Sequence, residues 1–178
     1  MNMERRFAIK QILIMAGGIA LLPSCLRDSG KSSVLLKNLD VSLDQEQLMA
    51  EIAETMIPKT DTSGAKELNL HLFVLKMLDD CHEPEDQIKF LKGLEEFQDN
   101  TQEQFSKSFI KLSRDERQKM LVQVENNKAA SAELAAFYAI MKRRTIQGYL
   151  NSQYVMTNLI KWELVPGRYN AYYPVKTA

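Results

Sequence analysis

Apolar residues recur at helical spacing along most of this chain, and no segment alternates apolar and polar residues as a half-buried strand does. The sequence has only seven glycines, and it lacks the Asn-Gly and Asp-Gly pairs that typically close β-hairpins. These features predict an all-α fold. We expect a single helical bundle of about five to six helices, followed by an irregular aromatic C-terminal tail.

Start and stop signals divide the bundle into helices. Ser42 with Gln45 and Ser113 with Glu116 are capping-box pairs, and Pro84 suits the first turn of a helix. The predicted helices run from Ser42 to Pro58, over about 66–81, from Pro84, from Ser113, over about 131–149, and briefly around 155–160. We expect the second helix to bury Cys81 and the third to bury Ile88, because both continue an apolar stripe.

The N-terminus has the composition of an export signal. Arg5 and Arg6 precede an apolar run from Ile12 to Leu22 that is shorter than the roughly twenty residues needed to cross a bilayer. The arginine pair favours the twin-arginine route, and the alternative is an ordinary secretory signal with a basic first segment. The run that ends at Cys25 resembles a bacterial lipobox, which predicts cleavage before Cys25 and lipidation of its thiol.

These observations divide the chain into three parts. Residues 1–24 are the signal peptide, residues 25–41 are a lipidated tether rich in small and polar residues, and residues 42–178 form the helical domain. A lipoprotein cysteine carries two or three acyl chains, which anchor a protein firmly. The expected location is the periplasmic side of the cell envelope, with the protein anchored in the membrane through the lipid on Cys25.

Recognisable catalytic and cofactor motifs are absent from the sequence. The glycines after the signal are isolated, so the chain has neither a dinucleotide-binding Gly-x-Gly-x-x-Gly nor a phosphate loop. With Cys25 lipidated, Cys81 is the only remaining thiol, which excludes cysteine-ligated iron–sulfur clusters. We therefore predict no catalytic residue, no metal and no cofactor in this chain. With 23 basic and 23 acidic residues, we also expect no nucleic-acid partner.

The pair Cys81 and His82 has two readings. It could form a metal or redox site, but neighbouring helical residues point about 100° apart and cannot easily share one ion. The simpler reading is a core cysteine at a helix end, with His82 placed favourably near the negative end of the helix dipole. We adopt the simpler reading.

Two irregular segments are candidates for binding a partner. The first is the turn 57–65, in which Pro58 ends a helix, Thr60 and Asp61 can cap backbone amides, and Gly64 permits a tight reversal. The second is the tail, which combines arginine with closely spaced aromatic residues in the manner of an interface anchor. Its candidate residues are Pro166, Gly167, Arg168, Tyr169, Tyr172 and Tyr173. A purely structural turn, and a tail that packs on its own bundle, are the alternatives.

The same two segments resemble a known family. The run Ile57-Pro58-x-Thr60-Asp61-Thr62-x-Gly64-Ala65, the run from Thr145 to Tyr149, and Pro166-Gly167-Arg168-Tyr169-Asn170 are similar to motifs of the gluconate 2-dehydrogenase subunit 3 family. The likeness covers about residues 45–174. The Cys25 lipobox is not a general feature of that family.

The resemblance implies a small, non-catalytic subunit of membrane-associated, FAD-dependent sugar or polyol dehydrogenases. The large partner, of the glucose–methanol–choline oxidoreductase type, would carry the FAD, and the small subunit would bind it and export it already folded. Electrons would then pass to a cytochrome or another acceptor on a further subunit. The alternative, from another functional class, is a stand-alone envelope lipoprotein that binds a ligand or acts as a scaffold.

Overall fold

Five α-helices account for most of the structure. The computed structural model describes residues 30–126, 131–160, 162–165, 167 and 171–172. The helices are α1 (Leu43–Met56), α2 (Leu70–Cys81), α3 (Pro84–Phe105), α4 (Arg114–Asn126) and α5 (Ala132–Leu150), with a 3-10 turn at Phe109–Lys111 and a π-helical turn at Val155–Leu159. Within the described residues the only β pairing is an isolated bridge between Lys31 and Ser42. The prediction of an all-α bundle is confirmed.

Local signals place the helix starts. The Ser42 hydroxyl accepts a hydrogen bond from the Gln45 N–H, and the Gln45 side chain accepts from the Ser42 N–H, which is a complete capping box. Ser113 and Glu116 make the same reciprocal pair at the start of α4. Pro84 is in the first turn of α3, where its missing N–H costs no hydrogen bond.

The core forms where α3 crosses α5. Phe90 and Phe97 of α3 pack on Phe137 of α5, with ring centroids 5.0 and 5.6 Å from it. All three side chains are fully buried. The helices approach closely at Gly93, where a Cβ atom would come within 2.6 Å of the Phe137 Cβ. The aromatic cluster therefore packs beside Gly93, where the two helices leave no room for a side chain.

Helix α2 begins later than the sequence suggests. Asn69, directly before it, has a left-handed backbone with φ of 51°, which a continuous right-handed helix cannot include. Residues 65–69 instead form a turn, in which the Leu70 N–H donates to the Ala65 carbonyl over 3.0 Å. The predicted start at about residue 66 is therefore four residues too early.

The prediction that Cys81 and Ile88 are buried is wrong. Cys81 is exposed, because the chain segment that covers the last turn of α2 packs over Asp79 instead. Ile88 is 56% exposed. Helix α3 instead buries the preceding residue, Gln87, because its side chain donates to the carbonyls of Leu78 and His82 at the C-terminal end of α2. A stripe built on apolar residues alone could not include this buried amide.

The segment before α1 packs against the helices. Residues 25–41 are predicted to be a tether, and the structure describes this segment from residue 30 onward. Leu39 and Val41 belong to the hydrophobic core. The Ser33 N–H and hydroxyl both donate to the Glu46 carboxylate over 2.6 Å. We call residues 30–41 the strap.

Candidate partner-binding surface

The turn 57–65 is held by one carboxylate of α1. Glu54, near the end of α1, accepts hydrogen bonds from the N–H of Lys59 at 3.0 Å and from the N–H of Lys66 at 2.9 Å. These two donors lie at the beginning and just beyond the end of the turn. Glu54 therefore holds the two ends of the turn close together. Its carboxylate satisfies N–H groups that a chain reversal leaves without a backbone partner.

Gly64 is required in this turn for space. A Cβ atom at Gly64 would lie 2.6 Å from the Lys59 nitrogen and 2.8 Å from both carboxylate oxygens of Glu54. Ala65, which follows, is fully buried, and its N–H donates to the Ile57 carbonyl over 2.9 Å. The loop is thus closed against the end of α1, and its conformation is defined by packing as well as by hydrogen bonds.

Charged pairs surround the base of the turn. Lys59 pairs with Glu67, which raises the pKa of the Lys59 ammonium and lowers that of the Glu67 carboxyl. Glu51 pairs with both Lys66 and Arg117. Burial acts to raise the pKa of Glu51, but these two cations outweigh it and leave the pKa below the usual range. Both carboxylates therefore stay ionised at neutral pH.

Arg117 of α4 connects Glu51 of α1 to the 3-10 turn at Phe109–Lys111. Besides its pairing with Glu51, its Nε donates to the Phe109 carbonyl at 3.1 Å, and its guanidinium also bonds the Ile110 carbonyl. The guanidinium carbon lies 5.6 Å from the centre of the Phe109 ring. A single side chain from α4 thus fixes the 3-10 turn against α1.

The tip of the turn faces outward. Thr60 and Asp61 are exposed, and Pro58 is half-buried. The Thr60 N–H donates to the Thr62 carbonyl, which keeps the tip compact. Asp61 makes no hydrogen bond or ion pair with any residue that the structure describes, so its carboxylate points to solvent. Gly64 therefore has a structural role, and Thr60 and Asp61 face outward; that the turn binds a partner stays a prediction.

A groove continues from the turn toward the C-terminal part of the chain. It has a volume of about 600 Å³. One wall follows the turn directly, at Glu67 and Leu68, and the floor is Phe73 packed against Gly148. The other wall is polar and consists of Asn151, Ser152, Gln153, Tyr154, Thr157 and Asn158. These wall residues are not recognisable from the sequence, because an amide-rich stretch after a helix has no distinctive spacing.

Exposed apolar side chains follow the groove along the chain. From the last residue of α5 onward, the apolar residues that are about half exposed or more include Leu150, Leu159, Ile160, Trp162, Leu164 and Val165. Singly exposed apolar residues are ordinary, but such a dense run in one segment is typical of a surface that another molecule covers. We call residues 159–165 the C-terminal apolar segment.

The predicted tail is described only in part. Gly167 is exposed, with open space around its Cα, and Tyr172 is 92% exposed. The predicted contacts of Pro166, Arg168, Tyr169 and Tyr173 lie outside the described residues. The proposal that these residues bind a partner therefore stays a prediction. So do the lipidation of Cys25 and the export role of Arg5 and Arg6, which also lie outside them.

His82 takes part in a local structural contact. Arg144 of α5 donates to its Nε2 over 3.0 to 3.3 Å, and Asp86 lies 3.7 Å from its Nδ1. Burial, reinforced by Arg144, lowers the pKa of His82. In the described part of the chain, no three His, Cys, Asp or Glu side chains converge as a metal site would need. No helix among those residues is long and apolar enough to cross a bilayer.

Comparison with known proteins gives one match. Residues 43–167, which are more than half of the chain, match the family described as gluconate 2-dehydrogenase subunit 3. No curated protein and no solved structure matches the chain. The matched region contains the turn, the groove and the C-terminal apolar segment. The chain belongs to the gluconate 2-dehydrogenase subunit 3 family, a family of dehydrogenase-complex subunits.

Proposed function

We propose that this chain is a non-catalytic accessory and export subunit that binds a large flavin-dependent dehydrogenase and holds it at the membrane outside the cytoplasm. The observation that carries the proposal is the combination of the turn, the groove that follows it in the chain and the C-terminal apolar segment, within a chain of this family. The partner is of the glucose–methanol–choline oxidoreductase type and carries the FAD. Its substrate is a sugar or a polyol.

The turn and the groove adjoin each other in this proposal. The Lys59–Glu67 pair joins the turn to the groove wall, and the opposite wall continues into the segment with Trp162. Trp162 is 55% exposed, and large aromatic residues at the centre of an interface contribute much of its binding free energy. The rigid helices hold these irregular segments in place, which is the usual arrangement of a recognition surface.

The first test is co-purification. Solubilised membranes should yield the chain together with a flavoprotein, seen as the absorbance of oxidised FAD in the same chromatographic peak. Deletion of residues 166–178 should leave the helical circular dichroism nearly unchanged and weaken the complex by ~2–4 kcal/mol, the loss typical of a few interface hot spots. Glu85→Gln, on the exposed side of α3, is the matched control and should bind normally.

Three results would contradict the proposal or part of it. A chain recovered only as a free monomer would refute the subunit assignment and favour the stand-alone lipoprotein. Unfolding of the truncated chain would show that the tail belongs to the core. Full-strength binding by the folded truncated chain would place the interface on a helix face.

Anchoring and export are tested separately. Cys25→Ala should release the protein from membranes without unfolding it, because the core is built from residues downstream. Retention of the variant in membranes washed with high salt would exclude the lipid as the anchor. Arg5→Lys combined with Arg6→Lys should trap both subunits in the cytoplasm, and partner activity outside the cytoplasm would mean that the two are exported independently.

A further inference from the structure

The strap returns the chain to the beginning of α1. The Leu43 N–H, in the first turn of α1, donates to the Gly30 carbonyl over 3.1 Å, and the Ser32 N–H donates to the Val41 carbonyl over 2.9 Å. Gly30 therefore lies beside the N-terminal end of α1, although eleven residues of chain separate it from Ser42. The strap is a closed loop whose two ends meet.

A buried carboxylate holds the middle of the strap. Asp79 of α2 accepts hydrogen bonds from the backbone N–H groups of Lys37, Asn38 and Leu39 at 2.9, 2.7 and 3.1 Å. Burial acts to raise the pKa of Asp79, but these donors, with Lys76 nearby, outweigh it and keep the pKa below its usual range. A carboxylate that accepts hydrogen bonds from three consecutive N–H groups binds that segment strongly and specifically.

The attached strap shortens the path between Cys25 and the domain. From Cys25 to Gly30 a fully extended chain reaches at most about 18 Å, whereas from Cys25 to Ser42 a free tether would reach roughly 60 Å. An anchor at Cys25 thus leaves the domain little freedom to turn or to move away from the bilayer. The end that carries Gly30 must stay close to the lipid.

The partner-binding turn lies at the other end of α1. The helix has 14 residues, so its axis is about 21 Å long. The strap meets its N-terminal end, and the turn that begins at Pro58 follows its C-terminal end. Cys81, in the last turn of α2, is two residues beyond Asp79, whose carboxylate holds the strap. Leu35, within the strap, is 85% exposed and is an apolar side chain that this end offers to a lipid surface.

We propose that the strap orients the subunit on the membrane, with the N-terminal end of α1 and the last turn of α2 facing the lipid surface and the turn 57–65 facing away from it. The inference rests on the proposed lipidation of Cys25. It adds that the subunit is an oriented spacer, which holds its partner on the side of the bundle remote from the bilayer. The partner surface stays accessible because the membrane occupies the opposite end.

Two fluorophore positions test the orientation. In the lipidated chain the Cys25 thiol is blocked, so Cys81 can be labelled alone; the second protein carries Asp61→Cys with Cys81→Ser. Each is reconstituted without its partner into vesicles whose headgroups carry a short-range energy-transfer acceptor. Because the two positions lie toward opposite ends of α1, whose axis is about 21 Å long, we expect transfer from position 81 to be about twofold higher than from position 61.

Release of the strap should abolish this difference. Asp79→Ala, introduced into both labelled proteins, removes the acceptor for three N–H groups, and the two transfer efficiencies should then converge. Asp80→Asn is the matched control, since it changes an exposed neighbour that pairs with Lys76 and should preserve the difference. Hydrogen exchange should show that residues 37–39 lose protection in Asp79→Ala while α3 and α5 keep theirs.

The outcomes separate this inference from the proposed function. Equal transfer from the two positions, in a chain that floats with vesicles and keeps its strap protected, would overturn the orientation and leave the anchor intact. A chain that does not float with vesicles would refute the lipid anchor and the orientation with it. If hydrogen exchange shows that the whole Asp79→Ala protein has lost protection, the less severe variant Asp79→Asn takes its place. The two transfer efficiencies must then converge in Asp79→Asn.

Discussion

Replacement of Gly64 by alanine should destabilise the domain, contrary to the usual effect of such a change in a loop. Where the backbone can accept it, glycine to alanine stabilises a protein by about 0.4–1 kcal/mol, because the unfolded chain loses freedom. At Gly64 the new methyl group would lie 2.6 Å from the Lys59 nitrogen and 2.8 Å from the Glu54 carboxylate. The carboxylate must therefore move away from the two N–H groups that it accepts.

The expected size follows from those two hydrogen bonds. A hydrogen bond to a charged group contributes about 1.5–3 kcal/mol when buried, but Glu54 is half-exposed and water can replace it, so roughly 0.5–1 kcal/mol for each is reasonable. With the displacement of the Lys59 backbone added, the net loss should be about 1–2 kcal/mol. For a domain of this size that lowers the melting temperature by about 3–6 °C.

Thermal and urea unfolding of Gly64→Ala, Glu54→Ala and the double variant measure this effect. Because part of the clash is with Glu54, Gly64→Ala should cost less in the Glu54→Ala background, with a coupling free energy of about 1 kcal/mol. Gly30→Ala, where a Cβ would meet nothing within 4 Å, is the control and should change stability by less than about 0.5 kcal/mol. Wild-type or higher stability of Gly64→Ala would refute the reasoning.

Three further predictions concern the bundle itself. Gly93→Ala should lower the free energy of unfolding by about 1–3 kcal/mol, because overpacking against Phe137 costs more than the gain in helix propensity. An unchanged urea midpoint would show that α3 and α5 can move apart to accept the methyl group. Arg117→Met should cost about 1–2 kcal/mol through the lost bonds to Glu51 and the Phe109 carbonyl, with exposed Lys119→Met as its neutral control in the same denaturation assay. Burial lowers the pKa of both His71 and His82, so the unfolded chain binds more protons than the folded one below pH 6.5; stability should be complete above that pH and fall as the pH decreases. Melting curves between pH 7.5 and 5.5 test this, and a flat profile would contradict it, while His82→Asn should reduce the slope.

Local signals in the sequence were sufficient for most of the helix boundaries. Ser42 with Gln45 and Ser113 with Glu116 form their capping boxes because both partners are within one helical turn. The errors at Cys81 and Ile88 have one cause. Both depend on a polar group buried by a neighbouring element: Asp79 under the strap, and Gln87 across the end of α2.

The candidate surface was predicted in its parts but not as a whole. The turn was recognised from Pro58, Thr60 and Gly64, whose residue types fit a tight reversal. Its neighbour, the polar groove wall that begins at Asn151, could not be recognised, because only the packing of α5 against α2 at Gly148 brings the two together. The reason for Gly64 was also different from the expected one, since space rather than backbone conformation excludes a side chain there.

The strap has a consequence for the order of folding. Its hydrogen bonds to Asp79 join residues 40 to 42 positions apart, so the loop-closure entropy of a long stretch must be overcome before they form. The strap can dock only after α1 and α2 have packed together. Protection of its three amides therefore reports that the helix pair is complete, and these amides should be the last to become protected during refolding.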